Sequence, residues 1–183
     1  MTTALILVDL QNDFLEGGAL GVEGGRRVAK ELTQFVNEGA EGFDYLVATQ
    51  DWHIDPGEHF ETWPVHCVAG RFGAEIQEDL HKALSNARNY LGSFKKGQYS
   101  DGYSGFDGEK NGEKLEDLLK NHNVDRVVVA GVAADHCVRA TALDAVKHIP
   151  TVEVWEDMTA GVDPEATEYT FTEELPAAGV IRA

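Results

Sequence analysis

The segment RVVVAGVAADHC, residues 126–137, decides the fold class that the sequence predicts. Residues 126–130 form the most strand-like run in the chain, because β-branched apolar side chains favour an extended backbone. After the turn, apolar residues recur at helical spacing, at Val138, Ala142, Ala145 and Val146. A buried strand that turns directly into an amphipathic helix is the repeating unit of a parallel sheet covered by helices.

The same alternation extends in both directions along the chain. Further strand-like runs lie at residues 4–8, 45–49, 89–94, 152–155 and 180–181. Helical spacing of apolar residues separates them, for example at Val28, Leu32 and Val36 and at Ile76, Leu80 and Leu84. The pattern predicts an α/β fold, a doubly wound sandwich with a mostly parallel sheet of about six strands and helices on both faces. Residues 1–183 are predicted to form one domain, since no linker or internal repeat divides them.

Two glycine-rich segments interrupt this pattern. Residues 97–112 are rich in glycine, serine and tyrosine and are predicted to form a loop. Residues 16–25 lack the GxGxxG order of a dinucleotide-binding turn, so no such cofactor is expected.

The charge of the chain limits its partners. Fifteen Lys and Arg stand against 32 Asp and Glu, a formal net charge of -17. Nucleic acids and anionic membrane surfaces carry the same sign, so neither is an expected partner. No apolar run approaches the roughly 18–20 residues that cross a bilayer and no leader pattern precedes the first strand, so a cytoplasmic protein is expected. The acidic surface indicates high solubility, with salt adaptation as the alternative, and both a monomer and a homo-oligomer are compatible with it.

Three chemically versatile residues fall at predicted strand ends. Asp9 closes the first strand, Lys96 follows the third, and Cys137 opens the helix after the fourth. Because parallel strands end at one edge of the sheet, the fold places these residues in one crevice. We expect Lys96 and the helix start to favour a Cys137 thiolate, Asp9 to accept its proton, and the N–H groups of Ala133 and Cys137 to bind an oxyanion.

Each of these residues has a simpler interpretation when it is taken alone. A strand-end aspartate is commonly a helix cap, a lysine in a polar loop is commonly solvated, and a lone cysteine is commonly packed. The common position at three strand ends favours the catalytic interpretation. His136 is expected to have a structural or supporting role, because adjacent helical residues point about a third of a turn apart.

A loop after the second strand concentrates metal-binding side chains. Asp51 and His53 are two residues apart on an extended backbone and so project to one side, while His59 and His66 lie in the following connection. One carboxylate with two or three imidazoles suits zinc, iron or manganese. Cys67, the second of two cysteines, is expected to be buried and inert.

These motifs together resemble a known family. They are VDLQNDF (8–14), ATQDWHIDPG (48–57), WPVHCV (63–68), KG (96–97), YSGF (103–106) and AADHCV (133–138). In this order they resemble the nicotinamidases, also called pyrazinamidases, of the isochorismatase-like hydrolase superfamily. The resemblance covers nearly the whole chain and implies hydrolysis of nicotinamide to nicotinate and ammonia, and also of pyrazinamide, through a cysteine thioester.

The resemblance also implies roles for individual residues. Asp9, Lys96 and Cys137 resemble the catalytic triad, and the Val132–Ala133 bond resembles a cis peptide that directs the N–H groups of Ala133 and Cys137 to the oxyanion. The substrate would be a small pyridine carboxamide that contacts Ala133 between the aromatic side chains of Phe14 and Trp63. One divalent metal is implied, zinc in the first place with iron or manganese as alternatives, and its implied ligands are Asp51, His53, His59 and His66.

Other functions were weighed against this one. An isochorismatase has no need of a metal loop and would suit a more basic pocket, and an N-carbamoyl amidohydrolase is a further alternative within the superfamily. A non-catalytic metal-binding protein would not need Asp9, Lys96 and Cys137 together. A redox-sensing thiol protein would need a resolving cysteine near Cys137, and none is evident.

Overall fold

The computed structural model describes residues 1–183. Its centre is one eight-stranded sheet with the strand order β5-β4-β3-β2-β1-β6-β7-β8. The strands are β1 Thr3–Val8, β2 Tyr45–Asp51, β3 Tyr90–Lys96, β4 Glu109–Lys110, β5 Glu113–Lys114, β6 Arg126–Val132, β7 Thr151–Ala160 and β8 Ile181–Arg182. All pairings from β3 through β1 to β8 are parallel, so the predicted doubly wound, mostly parallel sheet is confirmed.

The predicted number of about six strands was too low. The six predicted strands correspond to β1, β2, β3, β6, β7 and β8. The two additional strands, β4 and β5, are two residues long each and form an antiparallel hairpin at the edge of the sheet. They lie at the end of the predicted loop and just beyond it, and strands this short leave no alternation of apolar and polar residues to detect.

Helices cover both faces of the sheet. They are α1 Gly25–Asn37, α2 His59–Thr62, α3 Glu78–Asn86, α4 Leu115–Asn121, α5 Arg139–Ala145, α6 Pro164–Tyr169 and α7 Leu175–Ala177. Leu5 and Leu7 of β1 pack into a core with α1 and α3, whereas Ala4, Ile6 and Val8 pack into a second core with α4 and α5. Successive residues of a strand point to opposite faces, and here both faces are covered, which explains why β1 is a continuous apolar run.

The strand ends bring the predicted catalytic residues to one edge. Asp51 and Lys96 are the last residues of β2 and β3 and are partners in the parallel register. Asp9 follows β1 directly, with φ of 50°. Beside it, β1 and β6 approach so closely that a Cβ on Gly131 would lie 2.2 Å from the carbonyl oxygen of Val8, so only glycine fits there.

None of the helices combines the length and the apolar character needed to span a membrane.

Candidate active site

The ammonium group of Lys96 is the centre of a buried ion cluster. Its Nζ lies 2.8 Å from Asp9 Oδ2, 2.5 Å from Asp51 Oδ1 and 3.6 Å from Cys137 Sγ, and it donates a hydrogen bond of 2.7 Å to the carbonyl of Gly102. The side chains of Lys96 and Asp9 have no exposed surface. A buried charge is tolerated only when it is paired, and two carboxylates here hold one ammonium in place. The structure therefore brings Asp9, Lys96 and Cys137 together, as their positions at the strand ends predicted.

Asp9 is arranged to exchange a proton. Its Oδ1 accepts a hydrogen bond of 2.6 Å from the hydroxyl of Thr49, while Oδ2 makes the ion contact with Lys96 but no hydrogen bond. Burial raises the pKa of Asp9, although the ammonium of Lys96 opposes this effect. A carboxylate with a raised pKa and a free lone pair is a suitable general base.

The electrostatics of the thiol differ from the expectation. Lys96 was expected to favour a Cys137 thiolate, and it does lower the pKa of this thiol. Burial is the larger effect, and with the charge of Asp9 it raises the pKa of Cys137 well above its ordinary value. A raised pKa favours the protonated thiol, so a neighbouring base would assist the formation of a thiolate.

The turn that carries Cys137 has the shape expected for an oxyanion site. The peptide bond between Val132 and Ala133 is cis, as the resemblance implied, and residues Ala134–Val138 form a single π-helical turn. The N–H groups of His136 and Val138 both donate to the carbonyl of Ala133, at 3.1 Å each. The N–H group of Cys137 does not donate to this carbonyl.

Three imidazoles form a second cluster next to the first. His53, His59 and His66, here called the histidine cluster, are buried and place one ring nitrogen each within 4.8 Å of one another. The other ring nitrogen, Nδ1, faces an oxygen in each case: Gly97 O at 2.6 Å for His53, Pro64 O at 2.6 Å for His66, and Asp101 Oδ1 at 3.3 Å for His59. An oxygen at Nδ1 favours the tautomer that carries its proton there, which leaves the lone pair on Nε2.

The histidine cluster fits a divalent metal. The Nε2 atoms of His53 and His59 are buried and have no hydrogen-bond partner. Asp51 Oδ2 completes the group, at 3.4 Å from His53 Nε2 and 3.8 Å from His66 Nε2. Converging imidazole lone pairs beside a carboxylate match the donor set of zinc, iron or manganese. Buried polar atoms without partners are unfavourable, and a bound cation would give the Nε2 atoms of His53 and His59 a partner.

Asp51 belongs to both clusters. Burial raises the pKa of Asp51, but the ammonium of Lys96 and the nearby imidazoles of His53 and His66 outweigh burial and hold this pKa well below its usual range. Asp51 is therefore ionised, with one oxygen towards Lys96 and the other towards the histidine cluster. Asp9, Asp51 and Cys137 also group closely enough to hold an ion, but the ammonium of Lys96 already occupies the space between them.

A small, mainly apolar cavity joins the thiol to the histidine cluster. Its lining is Phe14, Leu20, Val22, Asp51, His59, Trp63, His66, Tyr103, Ala133, His136, Cys137 and Val162. Phe14, Trp63 and Ala133, the predicted substrate contacts, are among these lining residues. Cys67, in contrast, is fully buried outside this lining, and burial raises the pKa of its thiol.

Several residues of this site were missed or misplaced by the sequence reasoning. His136 lines the cavity itself, where its ring contacts Trp63 edge-on at 5.4 Å and stacks on Tyr103 at 6.1 Å between ring centroids. Its neighbour in sequence, Cys137, points into the same cavity because the π-turn is wider than an α-helical turn. Tyr103 also accepts a hydrogen bond of 3.1 Å from the indole N–H of Trp63. The YSGF motif marked Tyr103 as part of the pattern, but no signal in the sequence gave its contacts.

Comparison with known proteins gives a consistent picture. The Isochorismatase domain pattern matches residues 3–182. The chain is 43% identical to the nicotinamidase/pyrazinamidase of Mycobacterium tuberculosis, over 97% of this chain and 96% of that protein. It is 34% identical to the nicotinamidase of Escherichia coli, over 96% of this chain and 92% of that protein.

Solved structures are also similar. PnC1 of L. infantum, in complex with nicotinate, superposes with a TM-score of 0.86 at 39% identity and covers 100% of this chain and 92% of its own. The pyrazinamidase of Pyrococcus horikoshii, in complex with zinc, superposes with a TM-score of 0.84 at 36% identity and covers 100% of this chain and 99% of its own.

Proposed function

This chain belongs to the isochorismatase family, and we propose that it hydrolyses nicotinamide with Cys137 as the nucleophile. The protein is a nicotinamidase, an amide hydrolase that converts nicotinamide to nicotinate and ammonia, as its similarity to nicotinamidases along almost the whole chain supports. Pyrazinamide carries the same carboxamide on a similar ring and is a second substrate. The observation that carries the proposal is a buried Asp9–Lys96–Cys137 cluster and a histidine cluster on one small aromatic cavity.

The cavity suits a flat heteroaromatic ring. Phe14 and Trp63 provide apolar walls, and Ala133 lies beside Cys137 at the reacting end. A ring held between these walls would place its carboxamide against Sγ of Cys137 and its other end towards the histidine cluster. Holding the reacting atoms close in this way supplies a large part of the rate enhancement of an enzyme.

The first half of the reaction follows from the proton positions. Asp9 takes the proton from the Cys137 thiol, and the neighbouring ammonium of Lys96 stabilises the thiolate as it forms. The sulfur attacks the carboxamide carbon, and the N–H groups of Ala133 and Cys137 bind the oxyanion of the tetrahedral intermediate. Asp9 returns its proton to the nitrogen, and the C–N bond breaks. Ammonia leaves, and the acyl group remains on Cys137 as a thioester.

In the second half of the reaction, a water molecule takes the place of the thiol as the group that Asp9 deprotonates. Asp9 takes a proton from a water molecule, whose oxygen attacks the thioester carbon. The C–S bond then breaks, and the proton on Asp9 restores the Cys137 thiol. Nicotinic acid leaves and ionises to nicotinate, and its proton passes to the ammonia released in the first half. Asp9 ends the cycle ionised beside Lys96, so protons and charge balance over the two steps.

The metal site is proposed to consist of Asp51, His53, His59 and His66. A divalent ion bound there would supply a Lewis-acid contact for the ring nitrogen of the substrate. The histidines are suited to zinc in particular, with iron and manganese as the alternatives. The protein's own contribution is the direction of its imidazoles, which the oxygens at Nδ1 hold.

The direct test is ammonia release from nicotinamide by the purified protein, before and after treatment with a chelator. We expect release from nicotinamide and pyrazinamide, its loss on chelation, and its return with added zinc, manganese or iron. No release with any of these metals would refute the proposed activity and direct the assay to N-carbamoyl substrates and isochorismate. Release that is unaffected by complete metal removal would keep the amidase but refute the metal site.

A further inference from the structure

The three imidazoles of the histidine cluster are oriented in two different ways. His53 and His66 direct Nδ1 to the backbone carbonyls of Gly97 and Pro64, at 2.6 Å each. His59 directs Nδ1 to a side chain, the carboxylate of Asp101, at 3.3 Å. His59 is therefore the one member of the cluster whose Nδ1 partner carries a charge.

Asp101 reaches His59 from a different part of the chain. His59 is the first residue of α2, whereas Asp101 belongs to the segment of residues 97–103 that follows β3. Two contacts hold this segment in place. The carbonyl of Gly102 accepts a hydrogen bond from Lys96, and the backbones of Gly97 and Gly102 approach so closely that a Cβ on Gly102 would lie 2.3 Å from the Cα of Gly97.

The two side chains differ in their environment. The side chain of His59 is 4% exposed and that of Asp101 is 61% exposed, so the carboxylate covers the outer edge of a buried imidazole. Because Asp101 is mostly exposed, its replacement leaves no buried cavity, and we expect its variants to fold. His59 is the member of the cluster that the carboxylate contacts, since His53 and His66 lie beside Asp51 instead.

A carboxylate behind a metal-binding imidazole has a known physical effect. It holds the proton on the far nitrogen, fixes the ring direction and increases the electron density on the nitrogen that faces the metal. We propose that Asp101 is a positioning residue that orients and polarises His59 and thereby strengthens the binding of a divalent metal at the histidine cluster. This inference rests on the metal site of the proposed function and adds to it a residue outside the set of ligands.

The test is the affinity of the full-length protein for Zn²⁺. Protein freed of metal by dialysis against a chelator is titrated with Zn²⁺ in competition with a chromophoric chelator of known affinity. Three variants are compared with the wild type: Asp101→Ala, Asp101→Asn and the control Asp55→Ala. Asp55 is also exposed and lies next to the same segment, where its N–H donates to Gln98, but its carboxylate contacts none of the histidines.

We expect Asp101→Ala to weaken Zn²⁺ binding by about 10- to 100-fold, the usual effect of removing such a partner. Asp101→Asn should fall between Asp101→Ala and the wild type, because the amide oxygen can still face Nδ1 of His59 but carries no charge. Asp55→Ala should bind within about twofold of the wild type. With Zn²⁺ in saturating excess, the Asp101 variants should recover the kcat of the wild type, because Asp101 does not touch the reacting atoms.

Three other results would contradict the role of Asp101 or the metal site on which it depends. Equal Zn²⁺ affinity of Asp101→Ala and the wild type would refute the role of Asp101 while leaving the metal site intact. An equal loss of Zn²⁺ affinity in Asp55→Ala would show that the effect comes from the general surface charge, and it would also refute the inference. A wild-type protein that binds no Zn²⁺, Mn²⁺ or Fe²⁺ but still releases ammonia would refute the metal site and this inference together, without touching the amidase.

Discussion

The side chain of Gln11 binds both backbone polar groups of Asp51. Gln11 Oε1 accepts a hydrogen bond of 2.8 Å from the N–H of Asp51, and Gln11 Nε2 donates one of 2.7 Å to its carbonyl. The same Nε2 donates to the carbonyl of Ala74 at 2.8 Å, and Gln11 is fully buried. Gln11 thus fixes the backbone of the one residue that belongs to both the Lys96 ion cluster and the metal site.

Replacing Gln11 should therefore affect stability and activity together. In Gln11→Ala, the N–H and the carbonyl of Asp51 would lose the buried side chain that binds them, while the carbonyl of Ala74 would keep its hydrogen bond from Gln50. We therefore expect a loss of about 2–4 kcal/mol in the free energy of unfolding. Asp51 would be less well placed, so Zn²⁺ affinity should also fall. Urea denaturation and Zn²⁺ titration measure the two effects. Gln34→Ala, on the exposed face of α1, is the control and should change neither.

Cys137 can be separated from the other cysteine by mutation. Cys137→Ala should fold and keep its metal, but ammonia release should fall by at least about 1000-fold, as in other enzymes that lose a nucleophile. Cys67→Ala should keep substantial activity, because Cys67 is buried outside the cavity and does not contact Lys96. Turnover by Cys137→Ala at a rate near that of the wild type would contradict the assignment of the nucleophile.

The protonation state of the thiol gives a prediction for chemical modification. Burial raises the pKa of Cys137, so its thiolate forms at higher pH than the thiolate of an ordinary cysteine. Alkylation of Cys137 by iodoacetamide should thus be slow at neutral pH and should increase with pH without a plateau below about pH 8.5, the ordinary thiol value. Peptide mass spectrometry after timed alkylation measures the rate at Cys137 alone. A plateau already reached at pH 6 would show a stable thiolate instead.

The contact between Trp63 and Tyr103 gives a prediction about substrate binding. Tyr103→Phe removes only the oxygen that accepts the indole N–H, at 3.1 Å. A neutral hydrogen bond contributes roughly 1 kcal/mol, so KM for nicotinamide should rise by about fivefold with little change in kcat. Steady-state ammonia assays separate the two constants. A selective fall in kcat would instead assign Tyr103 a part in the chemical steps.

A salt bridge between α5 and the end of the chain makes stability depend on pH. Glu174 accepts hydrogen bonds from Nε and Nη2 of Arg139, the former at 2.5 Å, and these lower the pKa of Glu174 from its ordinary value of 4.5. Because the folded pKa is lower than the unfolded one, the stabilisation is present above pH 4.5 and is lost as the pH falls through the folded value.

Glu174→Gln tests this linkage. Both side chains are partly exposed, so at pH 7 the variant should be less stable by no more than about 1 kcal/mol, and the difference should shrink under acid conditions. Urea denaturation at neutral and acid pH measures it. Glu173→Gln is the matched control, since Glu173 is exposed and has no ion pair. A difference that is the same at both pH values would show that the charge of Glu174 is not its source.

The local pattern of the sequence predicted the fold class and the edge of the sheet at which Asp9, Lys96 and Cys137 meet. Each long strand is a continuous apolar run because both faces of the sheet are covered, and this burial is visible without coordinates. Parallel strands end at a common edge, so Asp9, Lys96 and Cys137 could be placed together although they are up to 128 positions apart. The short hairpin of β4 and β5 was not predicted, because strands of two residues each are too short to show an alternation of apolar and polar residues.

The tertiary structure alone decided how these residues behave. The pKa of the Cys137 thiol depends on how much of the chain surrounds it. Lys96 and the helix start were expected to lower this pKa, but burial raises it. The partners of Asp51 and His59, namely Gln11 and Asp101, lie about 40 positions away and were not implied by any local pattern. The sequence determines which groups end at the edge of the sheet, whereas their charges and directions follow from contacts between distant segments, which only the packed fold creates.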